Sequence, residues 1–372
     1  MTQSLRIQNI EDALKGRGWT QRKLAAAVEV SAQTVTNWLK GNDFPRPAAL
    51  LKLSRVLSLS FDQLVGSPEA EPVIAFRRKA ATKTTLAHVE KAVRMGYLLK
   101  PLVAHLTTLD DDQVVFRQVN TDYDVVERLA KSRREEMGLS QDAVLDYTRL
   151  ISTFADNGAV LVPVLWGEKG RHENALHIHL PDHAVTFIYL NLDVRIEDFK
   201  FWMTHELAHV YTPTLCGLDE GEDFADAFAG ALLFPSDLAQ RVNQACEGRD
   251  SQGCLSMIKD AASKHEVSLL TAFKQVNAYR QRHGIEPLPL EEVLIHKVRN
   301  SATVETVRER IWGKDVPTPE QYLAATGQIF GAHFFNALKK MLNAGEGGPG
   351  YVQQVLDVSR ADAIALHEKL TR

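Results

Sequence analysis

The sequence predicts a mainly α protein with a small β-sheet, an α+β fold. Apolar residues recur at helical spacing through most of the chain, separated by Gly, Pro and Ser/Thr/Asp punctuation. Short apolar or alternating runs cluster between residues 159 and 190. The 372 residues are 45% hydrophobic and 24% charged, which suffices for two or three packed domains.

The first part, residues 5–66, reads as short helices separated by tight breaks. A helix over 5–15 is closed by Gly16 and Gly18, and Thr20 caps the next, over 21–28. After a break at Glu29 and Val30, Ser31 caps a helix over 32–40, closed by Gly41. Two more are expected over 45–57 and 60–64. Two short helices joined by a tight turn make a helix-turn-helix. Residues 67–82, with two prolines and the basic cluster Arg77, Arg78 and Lys79, read as a linker. Helical patterns follow over 86–106, 122–138 and 141–157. The continuous apolar run 159–165 reads as a strand, and 175–180 with 184–190 as a hairpin turning at Pro181–His183. Amphipathic helices are expected over 199–211 and 220–234, the second ended by Pro235. Beyond it the spacing predicts helices over 238–246, 254–265, 268–283, 290–313 and 319–342. A Gly-rich loop at 344–350 precedes a helix over 351–370, broken at Asp357–Ser359.

Charge and cysteine usage bound the function. Residues 1–100 hold 16 Lys+Arg against 8 Asp+Glu, a net +8, which leaves the remainder at −12. A basic head on an acidic body points to a polyanion partner for the head. The three cysteines, Cys216, Cys246 and Cys254, form no C-x-x-C pair, and no apolar run matches a membrane span or signal-peptide core. The expectation is a cytoplasmic protein with free thiols and no membrane partner.

The chemistry centres on Thr204–His209, of the form H-E-x-x-H. On a helix, His205 and His209 are one turn apart on one face and can take two corners of a zinc tetrahedron. Glu206 then lies beside the metal, where it can take a proton from a bound water. A catalytic zinc takes three protein ligands and keeps one position open. Downstream, Glu222 and Asp226 share a helix face, with Glu222 the natural third ligand and Asp226 placed to fix the tautomer of a ligand histidine. The bland reading is a surface helix carrying two histidines and a solvated acidic face. His172, His177, His179 and His183 crowd the hairpin, and His177 and His179 share a strand face. They read as surface residues, a second metal site or an oxyanion support. Tyr211 is a further oxyanion candidate. Cys216 reads as a small buried thiol or an inhibitory fourth ligand.

Two resemblances sharpen this. The run W-T-Q-R-K-L-A-A-A-V-E-V-S-A-Q-T-V-T-N-W-L-K-G, with its L-L-K-L-S-R-V-L tail, resembles the phage-repressor (Cro/C1, or XRE) helix-turn-helix family over residues 5–66. That family pattern implies that Gln33, Thr34 and Asn37 face base edges of double-stranded DNA and that Gln21 and Lys40 meet phosphates. It also makes a homodimer on DNA possible. Glu29 stands where the family has Gly, which predicts a positive φ there. The acidic E-x-x-x-D after H-E-x-x-H is also the arrangement of thermolysin-like, gluzincin zinc peptidases. With the tail E-D-F-A-D-A-F-A-G-A-L-L-F-P and the order of elements, residues 85–240 look like the ImmA/IrrE zinc metallopeptidases, with Asp226 in place of the usual Asn. The resemblance implies a zincin-like domain that cleaves a helix-turn-helix repressor in a stress, DNA-damage or mobile-element response. The expected organisation is a DNA-binding domain over 1–66, a linker over 67–84, a zinc endopeptidase over 85–285 and a helical accessory region over 286–372. The alternative is a transcription factor or antitoxin-type binding protein with a non-catalytic metal site.

Overall fold

Two units divide the computed structural model, Met1–Glu71 and Pro72–Arg372. It describes residues 4–40, 42–66, 71–75, 86–107, 114–117, 119–140, 142–167 and 175–371. The protein is mostly helical with a small four-stranded mixed sheet, the α+β class that the periodicities predict.

The first unit runs β1 (Ser4–Leu5), α1 (Ile7–Gly16), α2 (Gln21–Val28), α3 (Ala32–Leu39), α4 (Pro47–Leu57), α5 (Phe61–Leu64) and β2 (Val65–Gly66). The caps at Thr20 and Ser31 are those read from the sequence, and the structure adds one at Ser60. Thr20 accepts from the Lys23 amide, Ser31 from that of Thr34, and Ser60 and Gln63 form a reciprocal capping box. The apolar stripes meet in one core that includes Ile10, Leu24, Val28, Val35, Trp38 and Leu53. Leu5 pairs in the ladder with Val65 and does not start the first helix. Glu29 has φ 62° and ψ 46°, as its place in the turn predicts. For a residue with a Cβ this costs about 1–2 kcal/mol. The exposed Glu29 carboxylate meets Lys52 Nζ at 2.5 Å.

The second unit begins with β3 (Val73–Ala75), α6 (Leu86–Val103), α7 (Tyr123–Glu136), α8 (Tyr147–Asp156), β4 (Ala159–Val164), β5 (Ala175–Leu180) and β6 (Val185–Asn191). There follow α9 (Ile196–Tyr211), α10 (Asp219–Leu233), α11 (Ser236–Cys246), α12 (Ser251–His265) and α13 (Leu269–Arg282). The chain ends with α14 (Glu292–Ser301), α15 (Val307–Trp312), α16 (Pro319–Ile329), α17 (His333–Asn343), α18 (Pro349–Leu356) and α19 (Arg360–Thr371).

The sheet order is β3-β5-β6-β4, with β4 parallel to β6 and the other pairs antiparallel. Alternate residues of each strand serve opposite faces. Leu161, Ile188 and Leu190 join the core of α9 to α13. Val160, Val162, Ile178, Phe187 and Tyr189 join a second core with α6 and α17–α19. Helices on both faces explain why the run at 159–164 is continuously apolar rather than alternating.

Four expectations change. Residues 73–75, expected in the linker, form the edge strand β3, whereas Arg77, Arg78 and Lys79 lie outside the described residues. The helix predicted over 141–157 starts at Tyr147, because the Asp146 side chain caps the Arg149 amide. The pattern at 290–313 breaks where Glu305 and Val307 exchange backbone hydrogen bonds with Ile196 and Val194, and a Thr306–Glu309 capping box opens α15. The pattern at 319–342 breaks at Gly331, whose φ of 75° turns the chain into α17.

The expected accessory region over 286–372 is no separate body. Its Ile295 and Val307 belong to the first core, and its Phe334, Leu338, Val352 and Leu366 cover the second face of the sheet. Buried hydroxyls and an indole tie it down. Tyr189 Oη donates to the Val355 carbonyl at 2.8 Å, Trp166 Nε1 to that of Leu356 at 2.9 Å, and Tyr322 Oη to that of Pro163. Tyr189→Phe strands a buried carbonyl and is expected to cost about 1–2 kcal/mol in urea unfolding. Removing the exposed Lys369–Glu320 ion pair (2.8 Å) with Lys369→Ala should change stability by less than about 1 kcal/mol.

Candidate metal centre and nucleic-acid interface

The α9 helix is buried almost all round, so its polar groups must find partners inside the protein. Glu197 and Asp198 in its first turn complement the helix dipole. Lys200, fully buried, donates to the His265 carbonyl at 2.8 Å, and the Thr204 hydroxyl donates to the Lys200 carbonyl at 2.8 Å. One turn further on, His205 and His209 project together against α10 and β5. Their Nε2 atoms are 3.2 Å apart.

The first turn of α10 carries Asp219, Glu220 and Glu222. A Cβ at Gly221 would stand 2.2 Å from the Leu215 carbonyl oxygen, so only glycine lets this turn close against the chain leaving α9. That closure delivers Glu222 to the histidines, 3.5 Å from His205 Nε2 and 3.3 Å from His209 Nε2. The ligand atoms of His205, His209 and Glu222 lie within 4.8 Å of one another, the one such cluster among the described residues. Asp226 meets His205 Nδ1 at 3.0 Å, which leaves Nε2 free to coordinate.

The electrostatics fit a cation. Burial disfavours charge on His205, but its contacts with Asp226 and Glu222 outweigh this and raise its pKa to about 9. Burial likewise opposes the Glu222 charge, yet the two imidazoles hold its pKa down at about 2. Both Glu222 oxygens and His209 Nδ1 are buried without an aligned hydrogen-bond partner. Such groups are costly to bury unless something binds them. Two imidazole nitrogens and a carboxylate are a donor set suited to zinc.

Glu206, 5% exposed, lies beside the cluster. Burial raises its pKa, but His177 and the two ligand imidazoles more than offset this, so it stays below the usual carboxylate range. His177 Nδ1 stands 3.3 Å from Glu206 Oε2, and its ring packs edge-on against His209 at 5.7 Å between centroids.

The hairpin histidines therefore separate. His177 reaches the site. His179 hydrogen-bonds Thr186 Oγ1 at 3.0 Å, His183 is exposed, and His172 lies outside the described residues. Strand alternation put His177 and His179 on one face, but no sequence signal showed that β5 passes under α9 at residue 177. Tyr211 lies in an aromatic cluster with Phe116 and Phe228 and is no oxyanion support. Cys216 is not among the converging ligands, and burial pushes its thiol up to about 12, so it stays protonated.

In the first unit, Gln33, Thr34 and Asn37 lie along α3. Gln33 Nε2 donates to Asn37 Oδ1 at 3.0 Å, and the Thr34 and Ser31 hydroxyls are 2.7 Å apart. Gln21 opens α2, 3.3 Å from the Thr36 hydroxyl. Lys40, just past α3, is exposed. The amides of Gln33 and Asn37 carry the donors and acceptors that base recognition uses.

The cluster predicts about one bound zinc per chain after dialysis against zinc, with His205→Ala, His209→Ala and Glu222→Ala each emptying it. Asp226→Ala should weaken zinc binding by about 10–100-fold. Full occupancy in Glu222→Ala, measured by elemental analysis, would place the third ligand elsewhere.

Among the described residues no helix is long and apolar enough to cross a membrane. Comparison with curated proteins returns no match. Residues 10–64 match the family model described as helix-turn-helix, so the chain carries an XRE-type helix-turn-helix domain, the DNA-binding module of a regulator.

Proposed function

We propose that the second unit is a zinc-dependent endopeptidase of the ImmA/IrrE kind, joined to the DNA-binding head of a transcriptional regulator. Its natural substrate on this reading is a helix-turn-helix repressor, or this chain itself, and it works in the cytoplasm. The observation that carries the reading is the convergence of His205, His209 and Glu222 with Glu206 alongside.

When bound, zinc supplies Lewis acidity toward a peptide carbonyl and toward water. His205, His209 and Glu222 hold it, and Asp226 keeps His205 in the tautomer that offers Nε2. Glu206, ionised at neutral pH, takes the proton of the attacking water at its carboxylate and hands it to the departing amine. His177 orients Glu206 from the strand side.

A second reading rests on burial. The four groups are between 1% and 6% exposed. A site so covered also suits a transcription factor or an antitoxin-type binding protein that holds metal without catalysis.

Glu206→Gln separates the two. The variant should keep its fold and its zinc yet lose cleavage of a repressor-like protein by at least about 100-fold, because an amide takes no proton. Cleavage at the wild-type rate by Glu206→Gln refutes the assigned mechanism. Absence of cleavage by wild-type protein loaded with zinc favours the non-catalytic reading.

On the DNA side, we assign Gln33, Thr34 and Asn37 to base edges and Gln21 and Lys40 to phosphates, in a homodimer on a two-fold site. In titrations of the full chain, Gln33→Ala should cost about 1–3 kcal/mol and relax preference at one base position. Lys40→Ala should weaken all sequences alike and reduce the salt slope by about 1.

A further inference from the structure

The edge of the sheet beside the metal cluster is occupied by the chain itself. β5 carries His177, which contacts Glu206, and it runs directly along the α9 side of the site. On its inner side β5 pairs with β6. Its outer side is the kind of edge on which an extended peptide docks by strand addition, with backbone hydrogen bonds for affinity and alternate side chains for specificity. That side is filled by β3, which pairs antiparallel as Val73↔His179, Ile74↔Ile178 and Ala75↔His177. In register, Ala75 therefore sits opposite the residue that touches Glu206.

Two further contacts hold this segment. Pro72 lies against α6 at Gly96, where a Cβ would stand 2.4 Å from Pro72 Cβ. The Ile74 carbonyl faces the turn between α9 and α10, 3.3 Å from where a Cβ on Gly217 would stand. β3 is thus gripped between the β5 edge and the turn that leads into Glu222. The segment begins immediately after Glu71, the last residue of the DNA-binding unit.

We propose that Val73–Ala75 is a tethered, autoinhibitory strand supplied by the interdomain segment, which an extended peptide must displace to pair along the outer edge of β5. This rests on the endopeptidase reading for the identity of the competing peptide, but strand occupancy is measurable without turnover. A tethered segment acts at an effective concentration on the order of millimolar. A peptide substrate must therefore outcompete it, and whatever draws β3 off opens the edge.

The experiment uses the full chain. Ala75→Pro removes a backbone donor on the side of the strand that faces β5 and disfavours its pairing. Val73→Pro does the same two residues earlier. Hydrogen exchange is read at residues 175–180, and binding of an acetylated, amidated peptide of residues 71–80 is read by fluorescence anisotropy, both on chelated protein. Each variant should expose β5 amides that are protected in wild type. Each should also bind the peptide at least about tenfold more tightly than wild type, with protection restored on binding. Unchanged exchange in both variants, or no gain in peptide affinity, overturns the proposal. In zinc-loaded protein the variants should cleave an added repressor-like protein at least about tenfold faster than wild type. Equal rates in variants and wild type overturn tethered competition while leaving the endopeptidase reading intact. Peptide capture without cleavage by any form supports the tethered strand and removes the endopeptidase reading.

Discussion

The second unit is built around the burial of ionisable groups where α9, α10 and β5 meet. His205, His209, Glu206, Glu222 and His177 lie together, each no more than 6% exposed, in a setting otherwise made of aromatic and aliphatic side chains. Burying such groups is tolerable only if they neutralise one another or share a cation. The surrounding architecture is what that condition demands. Asp226 holds one imidazole, His177 faces the carboxylate of Glu206, and Gly221 allows the close turn that presents Glu222.

The two-sided sheet supplies the rigidity behind this cluster. One face backs α9 and α10, and the other is sealed by α6 and the C-terminal helices. The C-terminal helices act as the second wall of the sheet rather than as an appendage. Tyr189 and Trp166, stacked with ring centroids 5.6 Å apart, reach across to backbone carbonyls of α18. Strands covered on both faces keep β5 and β6 in register, and that register places His177 under Glu206.

A chain leaving a DNA-binding domain could have crossed open solvent. Here residues 73–75 complete the sheet and blunt the edge nearest the buried cluster. An unpaired strand edge invites other chains to add to it. Covering it with residues 73–75 leaves β5 paired on both sides.

Much of this was readable before folding was considered. Helical period, caps and Gly/Pro punctuation located α1–α5, α9, α10 and the hairpin, because these signals are local and depend on neighbours within one turn. The i, i+4 spacings of His205 with His209 and of Glu222 with Asp226 were equally local. The αL conformation of Glu29 followed from its place in a tight turn. Other features depended on residues far apart in sequence. The breaks at 302–306 and at Gly331 arose where tertiary hydrogen bonding and a turn overrode helical propensity. The strand at 73–75 exists only because β5 offers it an edge, and three residues carry no period of their own. That Asp226 serves His205 rather than His209, that His177 rather than His179 meets Glu206, and that Tyr211 turns into an aromatic cluster were set by the packing of α9 against β5 and α10. Sequence alone singled out His205, Glu206, His209, Glu222 and Asp226 by their local spacing. Only the tertiary structure decided which of them meet, because distances across a buried junction depend on how elements pack and not on spacing along the chain.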